Sequence, residues 1–311
     1  MSAEVFFIDA DTAAVGQRLC VFHPPRGVLR GWVVYVHPFA EEMNKSRRMA
    51  ALQARALADV GFGVLQIDLH GCGDSSGDFG EATWQGWVDD VVQACRWLRR
   101  RDAGMPLWLW GFRAGCLLAV EAAARLADAA QPAGGRVYGC NFLFWQPAPA
   151  GKVLLQQFLR LRMAGELIAG GGGKGVIDAL RRQLDAGTPV EVAGYVLSPA
   201  LASGLEHATL TPPPGALRAE WFEITQRPAE GDTPPASAPA SLAAAERWRA
   251  AGAALRSHIV SGPAFWQTTE IEDAPALVAA TLDALADAPH AAATASLRHD
   301  SVPAAAHPVT A

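Results

Sequence analysis

Short apolar runs alternate with amphipathic stretches across residues 1–150, and this alternation restricts the fold more than any other property of the chain. Residues 5–8 and 18–22 form two opening strands, closed by the turn His23-Pro24-Pro25-Arg26-Gly27. Residues 32–36 are apolar at nearly every position, as a strand is when both faces of its sheet are covered. Between Ser46 and Val60, the residues Met49, Leu52, Ala56, Leu57 and Val60 recur at helical spacing, and Gly61 stands where a C-cap glycine belongs. The unit then repeats as strand 62–69, helix 84–100, strand 107–110, helix 116–126 and strand 139–145. Strands alternating with helices of this length predict an α/β fold, a mostly parallel central sheet with helices on both faces. Ligands of such sheets bind at the carboxyl ends of the strands, so chemistry is expected in the loops after Val36, Leu69, Trp110 and Trp145.

After Pro149 the rhythm breaks. A helical segment over 152–169, the run Gly170-Gly171-Gly172-Gly173, a helix near 176–184 and a strand-like piece over 190–197 form an insertion at about residues 150–215. Its size suits a helical cap over a pocket mouth, with the glycine run as a hinge. Regular structure resumes at 221–224, followed by a Pro/Ala-rich loop over 228–242, a strand at 256–261 and a final helix over 274–285. From Ala288 onward Ala, Pro and His dominate, so residues 288–311 are expected to form a disordered tail behind a single domain of residues 1–287.

Charge and composition exclude several function classes. With 26 Lys+Arg against 31 Asp+Glu the net charge is −5, and no dense basic block exists to neutralise phosphates, so nucleic acid is not an expected partner. No apolar run approaches the roughly 18–20 residues of a membrane span, and Met1-Ser2-Ala3-Glu4-Val5 lacks the features of a signal peptide; a cytoplasmic protein is expected. Cys20, Cys72, Cys95, Cys116 and Cys140 are scattered and read as reduced thiols. The glycine run fails as a phosphate loop because Ile168 and Gly175 stand where Gly and Ser/Thr are required. His290, His299 and His307 lack metal-site spacing, and neither a metal nor a cofactor is expected.

The sharpest local signal is Gly111-Phe112-Arg113-Ala114-Gly115, preceded by a strand and followed by a helix start at Cys116. This is the context of the G-x-S-x-G nucleophile elbow, whose glycines permit a strained turn that lifts the central side chain above the sheet. Here the central residue is Arg113, whose guanidinium stays protonated and cannot attack a carbonyl. Asp68-Leu69-His70-Gly71-Cys72-Gly73-Asp74-Ser75 resembles the D-x-x-G-x-G-x-S loop of α/β-hydrolases, and Val36-His37-Pro38-Phe39 stands where those enzymes place an oxyanion-hole loop. The chain thus resembles the α/β-hydrolase superfamily. The fuller run from Pro38 through Phe39, Glu41, Glu42, Met43, Asn44 and Lys45 to Arg47 is similar to the hydrolase 2 proteins of the exosortase A system, which covers roughly residues 5–285. That resemblance implies a setting beside exopolysaccharide biosynthesis and protein-sorting components as partners, and it supplies no substrate.

The other triad positions are not filled in the usual way. Residues 259–266 place Phe265 where the family's histidine would stand, His258 lies before that turn, and the acid position offers only Asp232. A nucleophile, base and orienting acid within mutual reach are therefore not expected. Arg113 requires a partner in an enclosed site, and Glu41 or Glu42 is the expected one. Two uses follow. Either the pair plugs a site without catalysis, or Arg113, Asn44 and Lys45 hold a small anionic or acyl ligand, with His37, Phe39, Glu41, Glu42 and Trp145 around it. The alternative is a working ester or thioester hydrolase with Cys72 as the nucleophile; Cys116, Ser75 and Ser76 are expected to be structural.

Overall fold

Every residue of the strand over Gly31–Val36 is buried, and its side chains alternate between two separate apolar layers. In the computed structural model, which describes residues 2–10, 16–130, 139–168, 175–225 and 237–286, this strand lies in the interior of one eight-stranded sheet. In chain order the strands are β1 (Glu4–Asp9), β2 (Gln17–His23), β3 (Gly31–Val36), β4 (Phe62–Ile67), β5 (Leu107–Phe112) and β6 (Cys140–Trp145). A separate hairpin, β7 (Val190–Val192) and β8 (Tyr195–Leu197), precedes β9 (Ala216–Thr225) and β10 (Ala254–Ser261). The sheet order is β1-β2-β4-β3-β5-β6-β9-β10. From β4 to β10 all neighbours pair in parallel, and β2 is antiparallel to both β1 and β4.

Helices α1 (Glu41–Asp59) and α8 (Pro275–Ala286) cover one face, where Met49, Leu57 and Leu277 pack against Val33, Tyr35 and Trp110. The opposite face is covered by α2 (Trp84–Arg99), α3 (Ala114–Ala130) and α7 (Pro239–Ala250), which bury Trp87, Leu117 and Trp248 against Val34, Leu109 and Phe142. The inserted segment comprises α4 (Gly151–Ile168), α5 (Val176–Asp185), the β7–β8 hairpin and α6 (Pro199–His207). It is fastened to the body at close approaches: Ser198 Oγ donates to the Ala82 carbonyl at 2.6 Å, and a side chain at Gly204 would collide with Trp84. No helix among the described residues is long and apolar enough to cross a membrane.

Several elements differ in extent or type from the sequence expectation. The apolar period over 46–60 belongs to helix α1, which begins at Glu41, where Glu41 and Glu42 complement the helix N-terminus while Met43 extends the buried stripe. The expected strand over 190–197 is a hairpin, turned at Ala193 and Gly194, both with positive φ. The last four residues of the expected Pro/Ala loop, 239–242, begin helix α7, which opens with Pro239 at its first turn and buries Trp248. The expected hinge at Gly170–Gly173, the acid candidate Asp232 and the tail over 288–311 lie outside the described residues.

Candidate functional site

The sheet's carboxyl edge is sharpest at the turn from β5 into α3. Arg113 adopts φ 53° there, its N–H donates to the Trp145 carbonyl at 3.0 Å, and its carbonyl accepts from Cys116 N–H at 3.1 Å. A Cβ at Gly115 would collide with the Val36 carbonyl oxygen, and one at Gly111 would meet the Cys116 backbone, so the turn requires both glycines. The geometry raises the Arg113 side chain over the sheet while the residue as a whole stays only 8% exposed.

Glu42, in the first turn of α1, meets this guanidinium. Glu42 Oε1 lies 2.9 Å from Arg113 Nη2 and 3.0 Å from Nε, and Gln157 Oε1 of α4 accepts from Nη2 at 2.7 Å. The guanidinium carbon also lies 5.9 Å from the centre of the Trp266 ring. Burial pushes the Glu42 carboxyl above the usual carboxylate range, against the opposing pull of Arg113 and Lys45. Around the pair opens a cavity of about 440 Å³ with Glu41, Glu42, Lys45 and Arg113 as its charged residues. Its apolar walls are Phe39 and Trp266 from the body and Leu154, Phe158 and Leu161 from α4.

Several expected ligand-binding residues serve other purposes. His37 is buried, with Leu69 N–H donating to Nε2 at 3.3 Å; Nδ1 therefore carries the proton and donates to the Pro38 carbonyl at 2.8 Å. Burial holds its pKa below the usual histidine value, so the ring is a neutral brace between two loops. Trp145 is also buried: its Nε1 donates to Thr281 Oγ1 at 3.0 Å and its ring packs edge-on against Trp110 and Phe112. Asn44 turns to the cap, donating to Tyr195 at 3.0 Å and to Glu41 at 3.2 Å. Phe39, Glu41, Glu42, Lys45 and Arg113 do line the cavity.

The nucleophile candidates fare differently. Cys72 is buried, and desolvation pushes its thiol far above the usual range, which removes the thiolate an attack requires. Cys116 is likewise buried and its thiol raised. Ser75 Oγ accepts from Leu19 N–H and donates to the Asp68 carbonyl, while Ser76 Oγ accepts from Gln17 N–H, so both hydroxyls brace their loop. His258 stacks on Phe222 and bonds Glu220 at 2.7 Å, within the sheet and apart from Arg113. Phe265 packs against Phe112, Trp145 and Trp266, filling the space beside the elbow with aromatic rings. Gln157 and Trp266 complete the site without having been singled out for it. Neither residue type marks a ligand contact by itself, and only the fold brings α4 and the loop after β10 to the elbow.

The strand order, the antiparallel β2 and the β5–α3 turn decide the architecture. The chain has the α/β-hydrolase fold. Residues 27–169 match the family described as serine aminopeptidase, S33. The human protein ABHD12B is 34% identical over 100 residues, which is 32% of this chain and 26% of that protein. The chain spans about a quarter of the length of the curated relatives it matches. Among solved structures it is similar to Est1E of Butyrivibrio proteoclasticus bound to ferulic acid, with TM-score 0.61 and 14% identity over 91% of this chain and 98% of that one. It is also similar to a soluble variant of monoglyceride lipase from Saccharomyces cerevisiae, with TM-score 0.54 and 12% identity over 91% and 93% of the two chains. On this α/β-hydrolase frame, Arg113 occupies the apex of the elbow and an aromatic ring adjoins it.

Proposed function

We propose that this α/β-hydrolase-fold chain binds a small anionic or acyl ligand beneath its cap and performs no serine-hydrolase chemistry. The observation that carries the reading is Arg113 at the apex of an intact elbow, 2.9 Å from Glu42. A guanidinium has no lone pair to offer a carbonyl, and Phe265 beside it has no proton to move. The expected two-pronged grip of Arg113 on a ligand is modified, because Glu42 already occupies its Nε and Nη2. The open cavity argues against a fully plugged site. A scaffold would have packed the elbow shut, whereas this one keeps about 440 Å³, within the roughly 300–1,000 Å³ of ligand clefts. From the run Pro38 to Arg47 we also infer a cytoplasmic accessory role beside exosortase and exopolysaccharide components.

The test is turnover. Short-chain nitrophenyl esters and an acyl-thioester should release product no faster in the presence of the protein than in buffer. Release that disappears in Cys72→Ala would replace this reading with that of a hydrolase using a non-standard nucleophile.

A further inference from the structure

The charges in the cavity are unequally engaged. Glu41 accepts from Tyr195 OH at 3.0 Å and from Asn44 at 3.2 Å, and Glu42 is held by Arg113, so both carboxylates already have partners. On the cationic side, Lys45 and the Nη1 of Arg113 make no hydrogen bond or ion pair among the described residues. The formal charges of Lys45, Arg113, Glu41 and Glu42 cancel. Two open donors match one carboxylate head group, whose two oxygens can each accept from a separate donor. The walls limit the remainder of the ligand. Leu154, Phe158 and Leu161 follow one another at i, i+4 and i+7 on α4, an apolar stripe of roughly 10 Å at the usual helical rise. Its outer end, Leu161, is 48% exposed and marks the mouth of the cavity.

We propose that the cavity holds an unbranched aliphatic monocarboxylate, with its head group on Lys45 and Arg113 Nη1 and its chain along Leu154, Phe158 and Leu161. The proposal rests on the reading that the site binds without hydrolysing, and it specifies the ligand of that site. Charge-assisted hydrogen bonds hold the head, and removal of the chain from water supplies most of the affinity.

Calorimetric titration of the full chain with decanoate, decanol and butyrate tests it, with methyl decanoate incubated in parallel. Decanoate is expected to bind about tenfold or more tightly than decanol, the scale of one hydrogen bond to a charged group, and more tightly than butyrate by at least as much, because butyrate lacks six methylenes of buried chain. Lys45→Gln, at a half-buried site, should weaken decanoate several-fold and leave decanol unchanged, and Leu161→Glu should weaken both. Equal affinity for decanoate and decanol, an indifferent Lys45→Gln, or no binding of decanoate would overturn the proposal and leave the non-hydrolytic reading intact. Release of decanoate from the methyl ester would overturn that reading instead.

Discussion

At the scale of single residues, the site is defined by what Arg113 demands. A cation that is 8% exposed must be compensated, and Glu42 and Gln157 compensate it from two different helices. Arg113→Ala should therefore cost about 1–3 kcal/mol of stability, because it leaves Glu42 partly buried without its partner. Adding Glu42→Gln to that variant should recover part of the loss, which urea denaturation of the two variants would show. A second residue-scale prediction concerns Glu220, which is 0% exposed. Burial raises its carboxyl, but bonds from His258, Arg256 and Arg218 outweigh this and hold its pKa below the ordinary glutamate value. A lowered folded-state pKa gives stability that is present above the ordinary value and lost as the pH falls through the folded one. Glu220→Gln should flatten that acid dependence in denaturation midpoints compared between neutral and acidic solution; an unchanged slope would show that other groups carry it.

At the scale of elements, the elbow and the cap attachments bear the functional geometry. Gly115→Ala should destabilise the protein by about 1–3 kcal/mol or more, since the new methyl group would be forced into the Val36 carbonyl. The Tyr195 hydroxyl joins the β7–β8 hairpin to Glu41 and Asn44 of α1, so Tyr195→Phe should make the cap more susceptible to limited proteolysis while the sheet core retains its melting behaviour. The elements themselves were legible to different degrees. Strands β3 to β6 could be read because both of their faces are buried, which leaves uninterrupted apolar runs. In α1 the apolar period shows only from Ser46 onward, because Glu41, Glu42, Asn44 and Lys45 face the cavity or the cap and interrupt it. Helix α6 did carry a signal, Ser198 as N-cap followed by Pro199, but its nine residues are too few to show a periodicity. The Arg113–glutamate pairing was legible because an enclosed guanidinium needs a carboxylate and the adjacent helix offers two. Gln157 and Trp266 were not, since their nearness to the elbow exists only once α4 and the loop after β10 have folded against it.

At the scale of the whole molecule, an enzyme frame is preserved around an unusual centre. The sheet order, the strained elbow and the loop after β3 are those of an α/β-hydrolase, and the cap leaves a cavity over the elbow. Preservation of the turn without a serine at its apex separates architecture from chemistry: the frame positions a side chain, and the side chain determines what the site can do. Here that side chain is a guanidinium, which has no lone pair with which to accept an acyl group. Exposure of the protein to a fluorophosphonate probe, followed by intact-mass measurement, addresses this claim most directly. The account predicts an unchanged mass, and a stable phosphonyl adduct on any serine near the elbow would contradict it.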